Sequence, residues 1–249
     1  MRRLALLALL LALPGAAVAA NGKQVYGRYC AMCHGPNGEG QTQSSAVVGG
    51  GPARDQKIES GIGPSLRGVG ALAADFYLRT GYMPLKKTGQ QPRRSRLLLS
   101  RAQIDALVTY VASLGHGPPV PQPHPEQGNL SAGQHLFAMN CAGCHQIVAR
   151  GGYVTHALPP PLGDATPTEV AEAVRIGPYV MPRFSKKQIS DAELNSLIRY
   201  VEWTHKPDDR GGWSLGRIGP VPEGLATWFL GIVVLVGVCL VIGKRLQHE

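Results

Sequence analysis

The sequence is short of acid, methionine and cysteine, and it has no long apolar run outside its two ends. Of 249 residues, 16 are Asp or Glu against 25 Lys or Arg, leaving a formal charge of +9. Six of the cations, Lys86, Lys87, Arg93, Arg94, Arg96 and Arg101, share one stretch with no acid between Lys86 and Arg101. In an exported chain, which the termini indicate, such a run is not a nucleic-acid signal. It reads as a solvated loop or as a steering patch for an acidic partner. With 249 residues there is room for one large domain or two small ones plus attachments.

The two apolar runs differ in kind. Met1-Arg2-Arg3 is a short positive start, followed by the apolar Leu4 to Leu13, Pro14-Gly15 and the small residues Ala17 to Ala20. That is the layout of a secretory signal peptide over residues 1–20, cleaved near Ala19 or Ala20, since ten apolar residues are too few to cross a bilayer core. Near the other end, Leu225 to Ile242 is uncharged, with Glu223 before it and Lys244-Arg245 after it. As a helix those residues would rise roughly 27 Å, close to the hydrocarbon thickness. Trp228 fits an interfacial anchor, and the basic stop fits the positive-inside rule. A transmembrane helix is therefore expected at 225–243, with the body outside and a cytoplasmic tail at 244–249. Gly231 and Gly237 read equally as a contact face for a neighbouring helix or as ordinary membrane glycines.

There are five cysteines. Cys239 lies inside the apolar run and reads as a small filler. The others form two pairs, each followed by histidine: Cys30-Ala31-Met32-Cys33-His34 and Cys141-Ala142-Gly143-Cys144-His145. Cys-x-x-Cys-His is the c-type haem attachment motif. Residues three apart on a helix share a face, so both thiols can reach the vinyl groups along one porphyrin edge. The next residue then offers its imidazole to the iron. Disulfides would leave both trailing histidines unexplained. A zinc site would have to join pairs 111 residues apart. A redox-active dithiol would not need a second copy. Two covalently bound haem c groups are the expectation, held by Cys30, Cys33, Cys141 and Cys144.

The motifs sit in a duplicated frame. Gly22, Tyr26 and Cys30 step by four, as do Gly133, Phe137 and Cys141, each marking one helix face that leads into a haem motif. Ser100-Arg101-Ala102-Gln103 and Ser190-Asp191-Ala192-Glu193 read as capping boxes. Each opens a helix with an apolar stripe, Ile104, Leu107, Val108 and Val111 in one, Leu194, Leu197, Ile198 and Val201 in the other. Between these elements each half has Pro-x-Leu or Pro-Pro-Leu (Pro64-Ser65-Leu66; Pro160-Pro161-Leu162), a short helix (Ala71 to Thr80; Thr168 to Ile176), a glycine (Gly81; Gly177) and Met-Pro (Met83-Pro84; Met181-Pro182). Thr166-Pro167-Thr168-Glu169 supplies an N-cap, a first-position proline and a reciprocal acid.

Five methionines leave little choice of sixth ligand. Met1 is in the signal, and Met32 and Met139 lie within or just before a haem motif, unable to reach their own distal face. Met83 and Met181 remain, so the axial metal ligands are expected to be His34 and Met83 in one half, His145 and Met181 in the other. A thioether opposite histidine favours ferrous iron and raises the potential. His116, His124, His156 and His205 do not recur between halves and read as surface residues.

The fold class expected is all-α: two tandem class I cytochrome c domains, 21–115 and 130–205, followed by one C-terminal transmembrane helix. Neither half is long enough for a generous core of its own, so haem completes it and apo-protein should be largely unfolded. Five prolines within 116–128 make 116–129 a stiff spacer. The loop from about Gln41 to Ser60 lengthens the first half, and 206–224 is an irregular juxtamembrane connector.

On these features the chain resembles the dihaem cytochrome c subunit of the quinol:cytochrome c reductase (cytochrome bcc complex) of actinobacteria and their relatives. The resemblance rests on the tandem halves and single span, on Ala149-Arg150-Gly151-Gly152 with Gly177 to Ser185, and on Ile218-Gly219-Pro220-Val221-Pro222-Glu223-Gly224-Leu225. It implies partnership with a cytochrome b subunit and a Rieske iron–sulfur subunit, and electron delivery to a terminal cytochrome c oxidase. The second haem would lie nearer the Rieske protein, the first nearer the oxidase. It also implies a single-pass protein of the cell membrane with its haem domains on the extracytoplasmic side, an electron-transfer subunit with no catalytic residues of its own. Two other readings stand beside it: a dihaem subunit of another respiratory dehydrogenase or oxidase, and a dihaem peroxidase, which needs one open iron site. A sensor would need an output domain, and none is legible.

Overall fold

The computed structural model describes residues 20–41, 63–85, 89–205 and 220–246. The expected signal peptide, most of the 41–60 loop, Lys86 and Lys87, and most of the juxtamembrane connector lie outside these. Two compact units are distinguished, up to His205 and from Lys206 onward. Among the described residues the structure is helical, its only β pairing being an isolated bridge between Val154 and Ala157.

In the first half, α1 (Gly22–Tyr29) is capped by the Asn21 side chain, which accepts from the amides of Lys23 and Gln24. A break at Cys30 separates it from the single turn α2 (Ala31–His34). Then come α3 (Gly70–Arg79) and α4 (Arg101–Ser113), the latter opened by the Ser100–Gln103 capping box that the sequence predicts. The second half repeats this with α5 (Leu130–Asn140), the turn α6 (Ala142–His145), α7 (Pro167–Ile176) and α8 (Asp191–His205). Ser190 and Glu193 cap one another at the start of α8, and Thr166 and Glu169 do so on α7.

In each half the first helix crosses the last, α1 on α4 and α5 on α8. The crossing is close because glycine stands at it. A Cβ on Gly22 would meet the Ala106 carbonyl, and one on Gly133 the Ser196 carbonyl. The apolar stripes meet there: Val25, Tyr26, Leu107 and Val111 form one core, and Phe137, Leu194, Leu197, Ile198 and Val201 anchor the other. Tyr26 stacks obliquely on Tyr110 with ring centroids 5.1 Å apart, and Phe137 on Tyr200 at 5.3 Å.

The halves meet through their equivalent middle helices, α3 against α7. The proline-rich segment between them is tied at both ends rather than free-standing. The Leu72 amide donates to the Pro118 carbonyl at 3.1 Å, and the His124 amide to the Asn195 side chain at 2.8 Å. A 3-10 turn at Pro125–Gln127 brings it onto α8.

In the second unit, α9 runs Pro220–Leu246, five residues earlier than the expected span and through its basic stop. A proline at the start of a helix loses no hydrogen bond, so Pro220 opens rather than breaks it. Within it Gly224–Leu246 is long and apolar enough to cross a membrane, with mean hydropathy 2.8 and none of it buried inside the protein.

Candidate haem sites

Each Cys-x-x-Cys-His motif occupies the break between two helices and the short turn after it. In both halves the first cysteine lies inward and the second is exposed: Cys30 half-buried and Cys33 exposed, Cys141 buried and Cys144 exposed. Burial, with the neighbouring cysteine adding to it, pushes the Cys30 and Cys141 thiols up to about 11. Reactive and metal-binding cysteines are thiolates stabilised by nearby positive charge, and these two sites do the reverse. Among the described residues no group of three His, Cys, Asp or Glu converges to hold a metal ion by itself.

The histidines are oriented identically. His34 Nδ1 is 2.7 Å from the Pro64 carbonyl and His145 Nδ1 is 3.0 Å from the Pro160 carbonyl. A carbonyl only accepts, so each Nδ1 carries the proton and each Nε2 keeps its lone pair for a metal. These partners are the prolines of the repeated Pro-x-Leu and Pro-Pro-Leu, whose purpose the sequence alone does not disclose. Burial lowers the pKa of His145, opposed by its bond to Pro160. Burial favours the neutral ring, and the bond to Pro160 fixes its orientation.

The loop after each motif is pinned the same way. Gly40 donates to the His34 carbonyl at 2.8 Å and Gly151 to that of His145 at 3.1 Å; Leu66 donates to Gly38 and Leu162 to Ala149. A tyrosine hydroxyl completes the anchor from opposite sides of the aromatic pair. In the first half Tyr26 of α1 donates to the Gly35 carbonyl at 2.7 Å; in the second Tyr200 of α8 donates to that of Ile147 at 2.7 Å. At the residue after the histidine the first half has Gly35 with φ 78°, and the second has Gln146 with φ 60° and ψ 157°. That region belongs almost wholly to glycine, so Gln146 is strained by about 1–3 kcal/mol.

Met181 follows α7, its amide donating to the Pro178 carbonyl at 3.1 Å, and its side chain lines the same cavity as Cys141, Cys144 and His145. The walls are apolar, among them Phe137, Leu162, Val174 and Leu197. An imidazole nitrogen, a thioether and two thiols around an apolar slot fit haem c and little else. Met83 holds the equivalent place after α3, half-buried, with its amide donating to the Tyr77 carbonyl at 3.1 Å. Met32 and Met139 are 77% and 72% exposed. His205, expected at the surface, is half-buried at the end of α8, with Nε2 enclosed and unpartnered.

Two contacts across the α3–α7 junction have no sequence signal. Arg94, within the basic run, grips Glu169 with both arms of its guanidinium, at 3.1 and 2.9 Å. At this position the run is an ion pair rather than a solvated loop. Glu172 on α7 is fully buried beside Asp75, whose carboxylate its own carboxyl can hydrogen-bond only when it carries a proton. Burial, helped by the Asp75 and Glu169 carboxylates and opposed by Arg79, pushes its carboxyl up to about 9.

Comparison with known proteins agrees with this geometry. The family model described as "Cytochrome c" matches residues 19–115, and that described as "Cytochrome C oxidase, cbb3-type, subunit III" matches 128–201. The cytochrome bc1 complex cytochrome c subunit of Mycobacterium leprae is 34% identical over 90% of this chain and 74% of that protein. Its counterpart from Corynebacterium diphtheriae is 33% identical over 90% of this chain and 80% of that protein. The cbb3-type cytochrome c oxidase subunit CcoP of Rhodobacter capsulatus is 29% identical over 72% of this chain and 60% of that protein. The two cytochrome c domains carry covalently bound haem c, and the chain belongs to the family of cytochrome bc1 complex cytochrome c subunits.

Proposed function

We propose that this chain is the membrane-anchored dihaem relay of a respiratory quinol:cytochrome c reductase, taking electrons from a Rieske iron–sulfur protein and delivering them to a terminal oxidase. Thioethers form at Cys30 and Cys33 and at Cys141 and Cys144. His34 with Met83 and His145 with Met181 would hold the two haem irons. The domains comprise 21–115 and 130–205, held outside the cell membrane by α9 after removal of residues 1–20. The observation carrying this reading is the pair of histidines, each with Nδ1 bound to an equivalent proline carbonyl.

Haem c supplies a one-electron iron couple. The protein's part is to hold that couple rigid and dry. Pro64 and Pro160 fix the imidazoles, so no ligand reorientation accompanies a change of oxidation state. Met83 and Met181 would hold the positions that a peroxidase keeps open, and on that ground the reading is an electron carrier. Cys33 and Cys144 are the exposed cysteines of their motifs, so a haem attached there would have its attachment side toward the surface. No residue of the chain transfers a proton or binds substrate in this scheme, and the enzyme is the complex rather than the subunit.

A second reading, the dihaem subunit of an oxidase, draws on the family model matched by 128–201. Purification in mild detergent decides between them. Recovery with a cytochrome b and a Rieske protein supports the first; recovery with oxidase catalytic subunits alone overturns it.

A further inference from the structure

The cavity that holds Cys141, Cys144, His145 and Met181 is not closed by the second half alone. Tyr82, Gln91, Pro92 and Arg94 of the first half line it too. They are fastened there. The Gln91 side-chain amide donates to the Leu158 carbonyl at 2.7 Å and accepts from the Leu158 amide at 3.0 Å, a two-point pairing onto the loop beside the cavity. Arg94 makes its two-armed contact with Glu169, whose side chain is 8% exposed. Glu169 is already committed as the reciprocal acid of the α7 cap, so Arg94 is held to a rigid point.

We propose that the first domain supplies a wall of the second haem's pocket and that the Arg94–Glu169 pair in that wall keeps two opposing charges balanced beside the second haem, so that either charge left alone shifts its potential. This rests on the reading that His145 and Met181 ligate that haem. Oxidised haem carries one more positive charge than reduced haem. A cation nearby therefore opposes oxidation and a carboxylate favours it. In the intact pair the two effects offset each other, and loss of either partner exposes the other.

The test is a redox titration of the complete haem-loaded chain, with the second haem identified by the downward shift from Met181→His. One uncompensated charge in the wall of the pocket is expected to change the oxidised-to-reduced ratio roughly tenfold, about 59 mV for a one-electron couple. Arg94→Gln should lower the second potential by at least about threefold in that ratio, and Glu169→Gln, which keeps the cap, should raise it as much. The double variant should return to within about threefold of wild type. Arg94→Lys should stay within that limit, keeping the charge without the fork. Shifts of one sign, shifts below about threefold, or a larger effect on the first haem would overturn the proposal. Glutamine variants that leave the potential unmoved while Met181→His shifts it would sink this proposal alone. A Met181→His that moves neither potential would instead remove the ligand assignment beneath it.

Discussion

Glu172 offers a sharp test of how the two halves are joined. Its carboxyl is fully enclosed where α7 packs on α3, with Asp75 and Glu169 as like-charged neighbours and Arg79 as the opposing cation. A carboxylic acid held at about 9 keeps a proton that the unfolded chain releases near 4.5. Between those values the folded state binds more protons than the unfolded one, so stability falls as pH rises, by 1.36 kcal/mol per unit. At pH 7 the penalty is about 3 kcal/mol. Below 4.5 there is none, and above 9 it no longer grows. Glu172→Gln cannot ionise and escapes the penalty. Its amide need not be better bonded, because any such defect shifts stability equally at every pH. Urea unfolding of the haem-loaded chain, followed at pH 6 and pH 8, should show the variant gaining about 3 kcal/mol on wild type between the two. Parallel pH dependences would show that Glu172 is hydrated or paired and that the α3–α7 junction is looser than described.

Other substitutions probe the repeat. Met83→His and Met181→His should each lower the potential of one haem and leave its neighbour nearly unchanged, read by spectroelectrochemical titration. His34→Ala and His145→Ala should each abolish assembly of their own half, read as haem content per chain. Gly133→Ala would drive a methyl into the Ser196 carbonyl at the α5–α8 crossing, and should cost about 1–3 kcal/mol in urea unfolding. Gln146→Gly should stabilise the second half by about 1 kcal/mol, since it removes a strained left-handed conformation beside the haem motif.

The parts legible in the sequence are those set by local pattern. Capping boxes at Ser100, Thr166 and Ser190 form as their spacing implies, and the Gly-Tyr-Cys and Gly-Phe-Cys steps do mark helices crossing at glycine. The haem motifs fall at helix breaks, and in the second half both thiols and the imidazole line one cavity. Other features depend on how the halves dock. Nothing in the run Arg93-Arg94-Ser95-Arg96 distinguishes the arginine that pairs with Glu169 from its neighbours. Glu172 sits on α7 among alanines and valines, and its burial follows only from α3 lying against it. The roles of Pro64 and Pro160 fall between these cases. Their recurrence was visible, yet their carbonyls bond the histidines through backbone geometry that side-chain identity does not encode. Pro220 shows a third pattern, a helix breaker in most positions that here opens the helix bearing the apolar span.

A coulometric titration of the purified chain, counting electrons accepted per polypeptide, bears most directly on the two-haem relay. Two one-electron steps per chain, both from low-spin iron and both unchanged by carbon monoxide, are expected. A single step, or a haem whose reduced form binds carbon monoxide, would contradict it.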